Sequence, residues 1–282
     1  MTVEAGKDSK TARADGLDSS PVHLQVLSSG SEGNSTLVRG GECALLVDAG
    51  LPRIALEERF AAAGLGHEPF DHVLVTHGHL DHARSVGLVA RRSRATLHAA
   101  DAQLSHPWAR RAKQLASLRV DARFELQARS HQDAIEVESV LLPHDCDPTV
   151  AFAFLHGGRK AVILTDMGRP DPDIARRLHD PHVLVLEFNW DPERMRCGPY
   201  PPMLQRRITG GRGHLSNEQA GLMLERLAGP NLHTLLIAHI SQKTNLPQLA
   251  LECAQRTLQR LGLSHVRVLL TEQHRILPAI EV

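Results

Sequence analysis

The stretch THGHLDH places His77, His79, Asp81 and His82 within six residues, directly after an apolar run. Imidazole nitrogens and carboxylate oxygens suit Zn²⁺, Mn²⁺ or Fe, whereas an all-oxygen set would favour Mg²⁺ or Ca²⁺. Three residues of the same chemistry follow later apolar runs: His144 after VLLP, Asp166 after VILT and His239 after LLIA. One histidine at a strand end is ordinarily capped or at the surface. Four separate runs that each deliver a ligand-type side chain point instead to one shared centre. Seven ligands exceed the needs of a single tetrahedral zinc and suffice for two divalent ions sharing one carboxylate. His77 and His79, two apart on extended backbone, face the same way, while Asp81 and His82 face a second ion.

These residues need a scaffold that brings distant strand ends to one edge. VHLQVLSS (22–29) alternates apolar and polar residues as a half-buried strand does, and GSEGN turns it into a second strand at 35–40. Continuously apolar strands follow at 43–50 and 72–77, separated by a helix over 52–63 with Pro in its first turn. Further on, the pattern gives a helix from about Ala83 to Arg92, a short strand near 95–98 and a helix from about Asp101 to Leu118. Strands then fall near 134–142, 150–156, 160–165 and 182–188. Two helices lie in 200–228 around the loop TGGRGHLSN, and a strand at 233–240 precedes an amphipathic helix at 246–261 and a final strand or two. Strand meanders giving way twice to strand–helix units imply an α/β fold with packed sheets and helices outside.

Composition narrows the class. The chain has 282 residues, is 42% hydrophobic and carries no formal net charge, so no global basic field draws it to nucleic acid or membrane; a local groove can still be basic. No run approaches the roughly 18 apolar residues of a membrane helix. The four cysteines are far apart with no CxxC, and residues 1–20 lack the apolar core of a secretory signal. The expectation is a cytoplasmic protein with reduced thiols, a disordered polar tail at 1–20 and a single domain at 21–282.

THGHLDH resembles the HxHxDH signature of the metallo-β-lactamase superfamily, and His144, Asp166 and His239 match its later ligand motifs in order. The resemblance implies an αββα sandwich, two mixed sheets flanked by helices. It also implies that His77, His79 and His144 hold one metal, that Asp81, His82 and His239 hold the other, and that Asp166 bridges them. Within the superfamily, LSSGSEGNSTLV (27–38), PYPPMLQRRI (199–208), GRGHLSNEQAG (211–221) and AHISQKTNLPQLA (238–250) resemble the YycJ/VicX group, over about residues 22–270. Members of that group are regarded as 5′→3′ DNA exonucleases linked to mismatch repair. The group reads E-x-N-H-D where this chain has EFNWD, so Trp190 replaces a His; packing is the better reading of it than base stacking. The 72 residues between Asp166 and His239 are too few to hold a β-CASP insertion.

The expected activity is phosphodiester hydrolysis of nucleic acid, DNA favoured over RNA, by a metal-bridging hydroxide, as an exonuclease in DNA repair. The expected cofactors are two divalent ions, Zn or Mn with Fe as a further candidate. Asp81, Asp166 and His214 are the candidate catalytic residues; His214 lies in a Gly-rich loop near Arg206, Arg207 and Arg212, before a helix capped by Ser216. Ser31, Asn34, Arg212 and Asn217 are candidate substrate contacts. Cys146, two residues after His144, is the weaker alternative to a histidine ligand. A cyclic phosphodiesterase, thioesterase or lactonase on the same metal core is the alternative reading.

Overall fold

A computed structural model describes residues 21–66, 70–129 and 133–282; the tail expected at 1–20 lies outside the described residues. The chain opens with a three-stranded antiparallel meander, β1 (Val22–Ser28), β2 (Ser35–Gly40) and β3 (Cys43–Val47). Three short parallel strands extend it: β4 (His72–Leu74), β5 (Thr96–Ala99) and β6 (Gln114–Ser117). Between them lie the helices α1 (Arg53–Ala62), α2 (Leu80–Ala83), α3 (Val86–Ser93) and α4 (Asp101–Leu104). The second sheet holds β7 (Arg123–Gln127), β8 (Ala134–Leu142) and β9 (Thr149–His156) in antiparallel order. It continues through β10 (Arg159–Leu164), antiparallel to β9, into the parallel strands β11 (Val183–Glu187), β12 (Thr234–Ala238) and β13 (Arg267–Leu270). Its helices are α5 (Pro172–Leu178), α6 (Pro192–Arg196), α7 (Pro202–Thr209), α8 (Asn217–Leu227) and α9 (Pro247–Arg260). The last strand, β14 (Ile280–Glu281), returns to pair with β1, so each sheet has seven strands.

Burial explains the layering. Alternate residues of β1 (Val22, Leu24, Val26) face Phe152, Phe154, Ile163 and Val185 of the other sheet in one core. The opposite face of the second sheet packs on Ile174 and Leu178 of α5, Met223 and Leu224 of α8, and Ala254 and Leu258 of α9. The outer face of the first sheet packs on Leu56 of α1 and Val86, Val89 and Ala90 of α3. Segments buried on both faces need apolar side chains, which is why 161–164 of β10, 183–186 of β11 and 235–238 of β12 read as unbroken apolar runs. The result is the expected αββα sandwich.

One expectation fails. The helix over Asp101–Leu118 stops at Leu104, a single 3₁₀ turn follows at Ala109–Arg111, and Gln114–Ser117 is the edge strand β6. Pro107 has no amide hydrogen for a helix interior, and the segment after it is satisfied by pairing with β5. Strand β7 and helices α5 and α6 are additions to the sequence reading. Both α5 and α6 carry a side-chain cap, from Asp171 and Asp191, and a proline in the first turn.

Candidate metal centre

Parallel strands place their C-terminal ends along one edge, where loops can converge. His77 follows β4, Asp166 follows β10, Glu187 ends β11 and His239 follows β12; β8, which runs with β10, delivers His144. Asp48, Asp166 and His239 all take left-handed backbone angles, with φ of 60°, 63° and 53°. Such angles cost of order 1–3 kcal/mol each in non-glycine residues and concentrate at functional sites.

The THGHLDH loop is pinned by backbone bonds. The Asn34 and Ala49 amides donate to the carbonyls of Asp81 (2.7 Å) and His82 (2.8 Å). Gly50 lets the chains meet this closely, because a Cβ there would lie 1.6 Å from the Asp81 carbonyl oxygen.

His77 Nε2 lies 3.0 Å from His79 Nδ1, which lies 3.4 Å from His144 Nε2. Three imidazole nitrogens thus converge with no proton count that satisfies all of them. The Nδ1 of His144 faces the Gly213 carbonyl at 2.9 Å, which leaves its Nε2 for the cluster. Burial, together with His82 and His144, holds His77 well below its ordinary pKa, and burial beside His144 lowers His79. Neutral imidazoles are what a metal requires.

The second group is Asp81, His82 and His239, with Asp81 Oδ2 3.7 Å from the Nε2 of each histidine. Asp166 reaches both sides: Oδ2 is 3.3 Å from His82 Nε2, and it forms a further group with His77 and His82. Burial works against charge on His82, yet Asp166 and Asp48 outweigh it and lift the imidazole to about 9. His239 is raised well above its usual value by Asp166, Asp81 and Glu187, again against burial. Protons on these two histidines balance carboxylates that a cation would otherwise neutralise.

The donor set fits divalent metal. Asp166 Oδ2 and His239 Nε2 are buried with no hydrogen-bond partner, which is costly unless something binds them. Both belong to the ligand groups. The thiol of Cys146 joins no such group among the described residues, and burial raises its pKa.

Two carboxylates at this centre escaped the sequence reading. Asp48 Oδ2 lies 2.7 Å from His82 Nδ1, and Asp48 also accepts from the Thr76 amide and hydroxyl. Glu187, fully buried, accepts from the Met167 and Leu215 amides at 2.7 and 3.2 Å, and its other oxygen is 3.2 Å from His214 Nδ1. His214 Nδ1 is also 3.6 Å from Asp166 Oδ1, so the structure brings His214 to the centre. Both missed residues end apolar runs, the same signal that marked Asp166.

The remaining candidates are spread around the rim. Trp190 donates from its indole to the His214 carbonyl at 2.9 Å and pairs with Ser216, holding the loop as packing requires. Ser216 caps α8 in a reciprocal box with Gln219. Arg212 donates to the His144 carbonyl at 2.7 Å and pairs with Asp147. Ser31 is exposed at the tip of the β1–β2 turn, whereas Asn34 is buried, bonded to Gly30 and 3.0 Å from His82 Nε2. Asn217 is buried, and its amide exchanges two bonds with Asn245, at 3.0 and 2.9 Å. It braces the start of α8 against the loop after His239.

Known proteins resemble this chain in sequence and in fold. The metallo-beta-lactamase superfamily matches residues 29–239. Exodeoxyribonuclease YycJ of Bacillus anthracis is 32% identical over 244 residues, covering 86% of this chain and 90% of that protein. Exodeoxyribonuclease WalJ of Streptococcus pneumoniae is 30% identical over 229 residues, covering 80% and 84%. Among solved structures, the metallo-beta-lactamase fold protein YhfI of Bacillus subtilis superposes with a TM-score of 0.67 at 15% identity, over 91% of this chain and 99% of that one. Human tRNase Z, short form, gives 0.61 at 14% identity over 91% and 98%; at such identity both show the fold alone. With the HxHxDH loop, the later strand-end ligands and these matches together, the chain belongs to the metallo-β-lactamase superfamily of hydrolases, in the group of YycJ and WalJ.

Proposed function

We propose that the protein is a dinuclear metal-dependent phosphodiesterase that degrades DNA from its 5′ end, in the service of DNA repair. The observation that carries the reading is the placement of Asp166 between two ligand groups, with His214 on its far oxygen and arginines at the rim. The exodeoxyribonuclease activity named for the relatives supports DNA as the substrate. His77, His79 and His144 would hold one ion, Asp81, His82 and His239 the other, and Asp166 both. Two bound divalent cations supply Lewis-acid polarisation of the phosphate and acidify water enough for attack near neutral pH.

The chain's own residues do the rest. Asp81, partly exposed at the centre, accepts the proton released as water attacks phosphorus. His214, oriented by Glu187 at Nδ1, donates from Nε2 to the departing 3′-oxygen as the P–O bond breaks. Arg212, tied to the His144 carbonyl, offsets charge on the non-bridging oxygens. Purified Mn²⁺-loaded protein assayed on 5′- and 3′-labelled duplex DNA and on bis(p-nitrophenyl) phosphate tests the reading. Release of mononucleotides from the 5′ end supports it; turnover of small esters with DNA left intact would favour a small-molecule hydrolase on the same core.

A further inference from the structure

Helix α7 buries none of its eight residues, although it stands beside the metal centre. Its inner face, Leu204, Gln205 and Ile208, is only half-buried, so the helix gains little from its own packing and its place in the fold needs another explanation. Its C-terminal end leads straight to His214, whose amide donates to the Ile208 carbonyl at 2.9 Å. Met203, Arg206 and Arg207 share one face by their i, i+3, i+4 spacing. Arg207 fixes where that face looks: its Nε is 2.5 Å from Asp145 Oδ2, and Asp145 Oδ1 is 3.4 Å from His79 Nε2 and 3.3 Å from His144 Nε2. The same face presents Met203, the most exposed large apolar side chain among the described residues at 77%, and Arg206, exposed and in no ion pair with a described residue.

Charge says what this face suits. From Arg194 to Asn217 the chain carries five arginines and no acidic residue, in a protein with no formal net charge overall. An arginine stripe with an apolar side chain, leading into a hydrolytic centre, fits a polyanion that also has apolar faces. We propose that the Met203–Arg206–Arg207 face of α7 grips the nucleic-acid substrate, with Arg206 on a backbone phosphate and Met203 against the terminal base. Asp145 holds Arg207 in place on that face. The inference deepens the phosphodiesterase reading above and rests on it.

Steady-state kinetics of the Mn²⁺-loaded full-length protein on end-labelled duplex DNA, between about 50 and 200 mM salt, test the grip. Arg206→Gln raises KM about tenfold and lowers the salt dependence of kcat/KM by about one power, the signature of one lost phosphate contact. Arg206→Lys restores most of both. Met203→Ala raises KM severalfold without changing the salt dependence. Both side chains are exposed on a helix without buried residues, so these variants fold. Arg159→Gln, at the opposite end of β10, leaves both quantities unchanged and serves as the control. If Arg206→Gln cleaves DNA with the wild-type KM and salt dependence, the α7 grip is overturned and the nuclease reading stands. If the wild-type protein hydrolyses small esters but neither binds nor cleaves DNA, both are overturned.

Discussion

Asp48 and His82 form a fully buried pair, with Asp48 Oδ2 2.7 Å from His82 Nδ1 and Thr76 donating to the same carboxylate. The carboxylate fixes the tautomer of His82, keeping Nδ1 protonated and turning Nε2 toward Asp81 and Asp166. A ligand oriented this way is more basic and needs no reorganisation when metal arrives. On the dinuclear reading proposed above, Asp48→Asn therefore weakens binding of the second metal equivalent by about 10–100-fold while sparing the first. Competition against a chelator of known affinity, with metal content read by elemental analysis, checks this. Equal loss of both equivalents would contradict the assignment of His82 to one side.

Gly50 acts on the same loop through the backbone. Alanine there would set Cβ 1.6 Å from the Asp81 carbonyl, so the segment carrying Asp81 and His82 must move. Overpacking of this kind costs about 1–3 kcal/mol, which lowers the melting temperature of a domain this size by roughly 2–6 °C. Unlike an ordinary core mutation, Gly50→Ala also loses metal, because Asn34 and Ala49 no longer hold the ligand loop in register. Calorimetry with and without added Mn²⁺ separates the two effects: the variant gains little stability from metal, and a full gain would refute the coupling.

The parts of this centre that were legible in the sequence are those whose signal is local. His77, His79, Asp81 and His82 stand together, and His144, Asp166 and His239 each interrupt an apolar run. Glu187 and Asp48 interrupt such runs too, yet each looks like an isolated carboxylate until the fold brings His214 and His82 against it. Asn217 sits in a telling motif, but its bonded partner Asn245 is 28 residues away and invisible to local reading. The fold follows the same division. Apolar runs of β8–β12 declare themselves, whereas β6, with mostly exposed residues, is a strand only because β5 offers it hydrogen bonds.

His214 and Glu187 can be tested through the leaving group. An alkoxide needs a proton as it departs, and p-nitrophenolate scarcely does. His214→Ala is therefore expected to lose about 10²–10⁴-fold in kcat on DNA but far less on bis(p-nitrophenyl) phosphate. Glu187→Gln removes the buried carboxylate that orients the imidazole, and shows the same selectivity with a smaller loss. Metal content close to wild type in His214→Ala keeps the comparison clean. A loss equal on both substrates would make His214 a metal or structural residue instead.

Away from the centre, a pair of a buried histidine, His98, and a half-buried one, His72, gives the fold its own acid sensitivity. His72 Nδ1 and His98 Nε2 are 3.0 Å apart, and His72 Nε2 faces the Gln127 carbonyl at 2.9 Å, joining β4 and β5 to the end of β7. Burial, then the neighbouring His72, pushes His98 down to about 4, and burial lowers His72 as well. In the unfolded chain both titrate near 6.5. Between those values the unfolded state binds protons that the folded state refuses, so stability is full above about pH 6.5 and is lost as pH falls toward 4. The shift of His98 corresponds to roughly 3 kcal/mol at the acid end. His98→Gln keeps a polar partner for His72 Nδ1 and removes this titration. Urea unfolding of the two proteins at a series of pH values is the measurement, and the acid lability of the shared metal centre cancels in their difference. The variant should be the less pH-sensitive protein between pH 6.5 and 4; parallel curves would show that the pair does not couple folding to protonation.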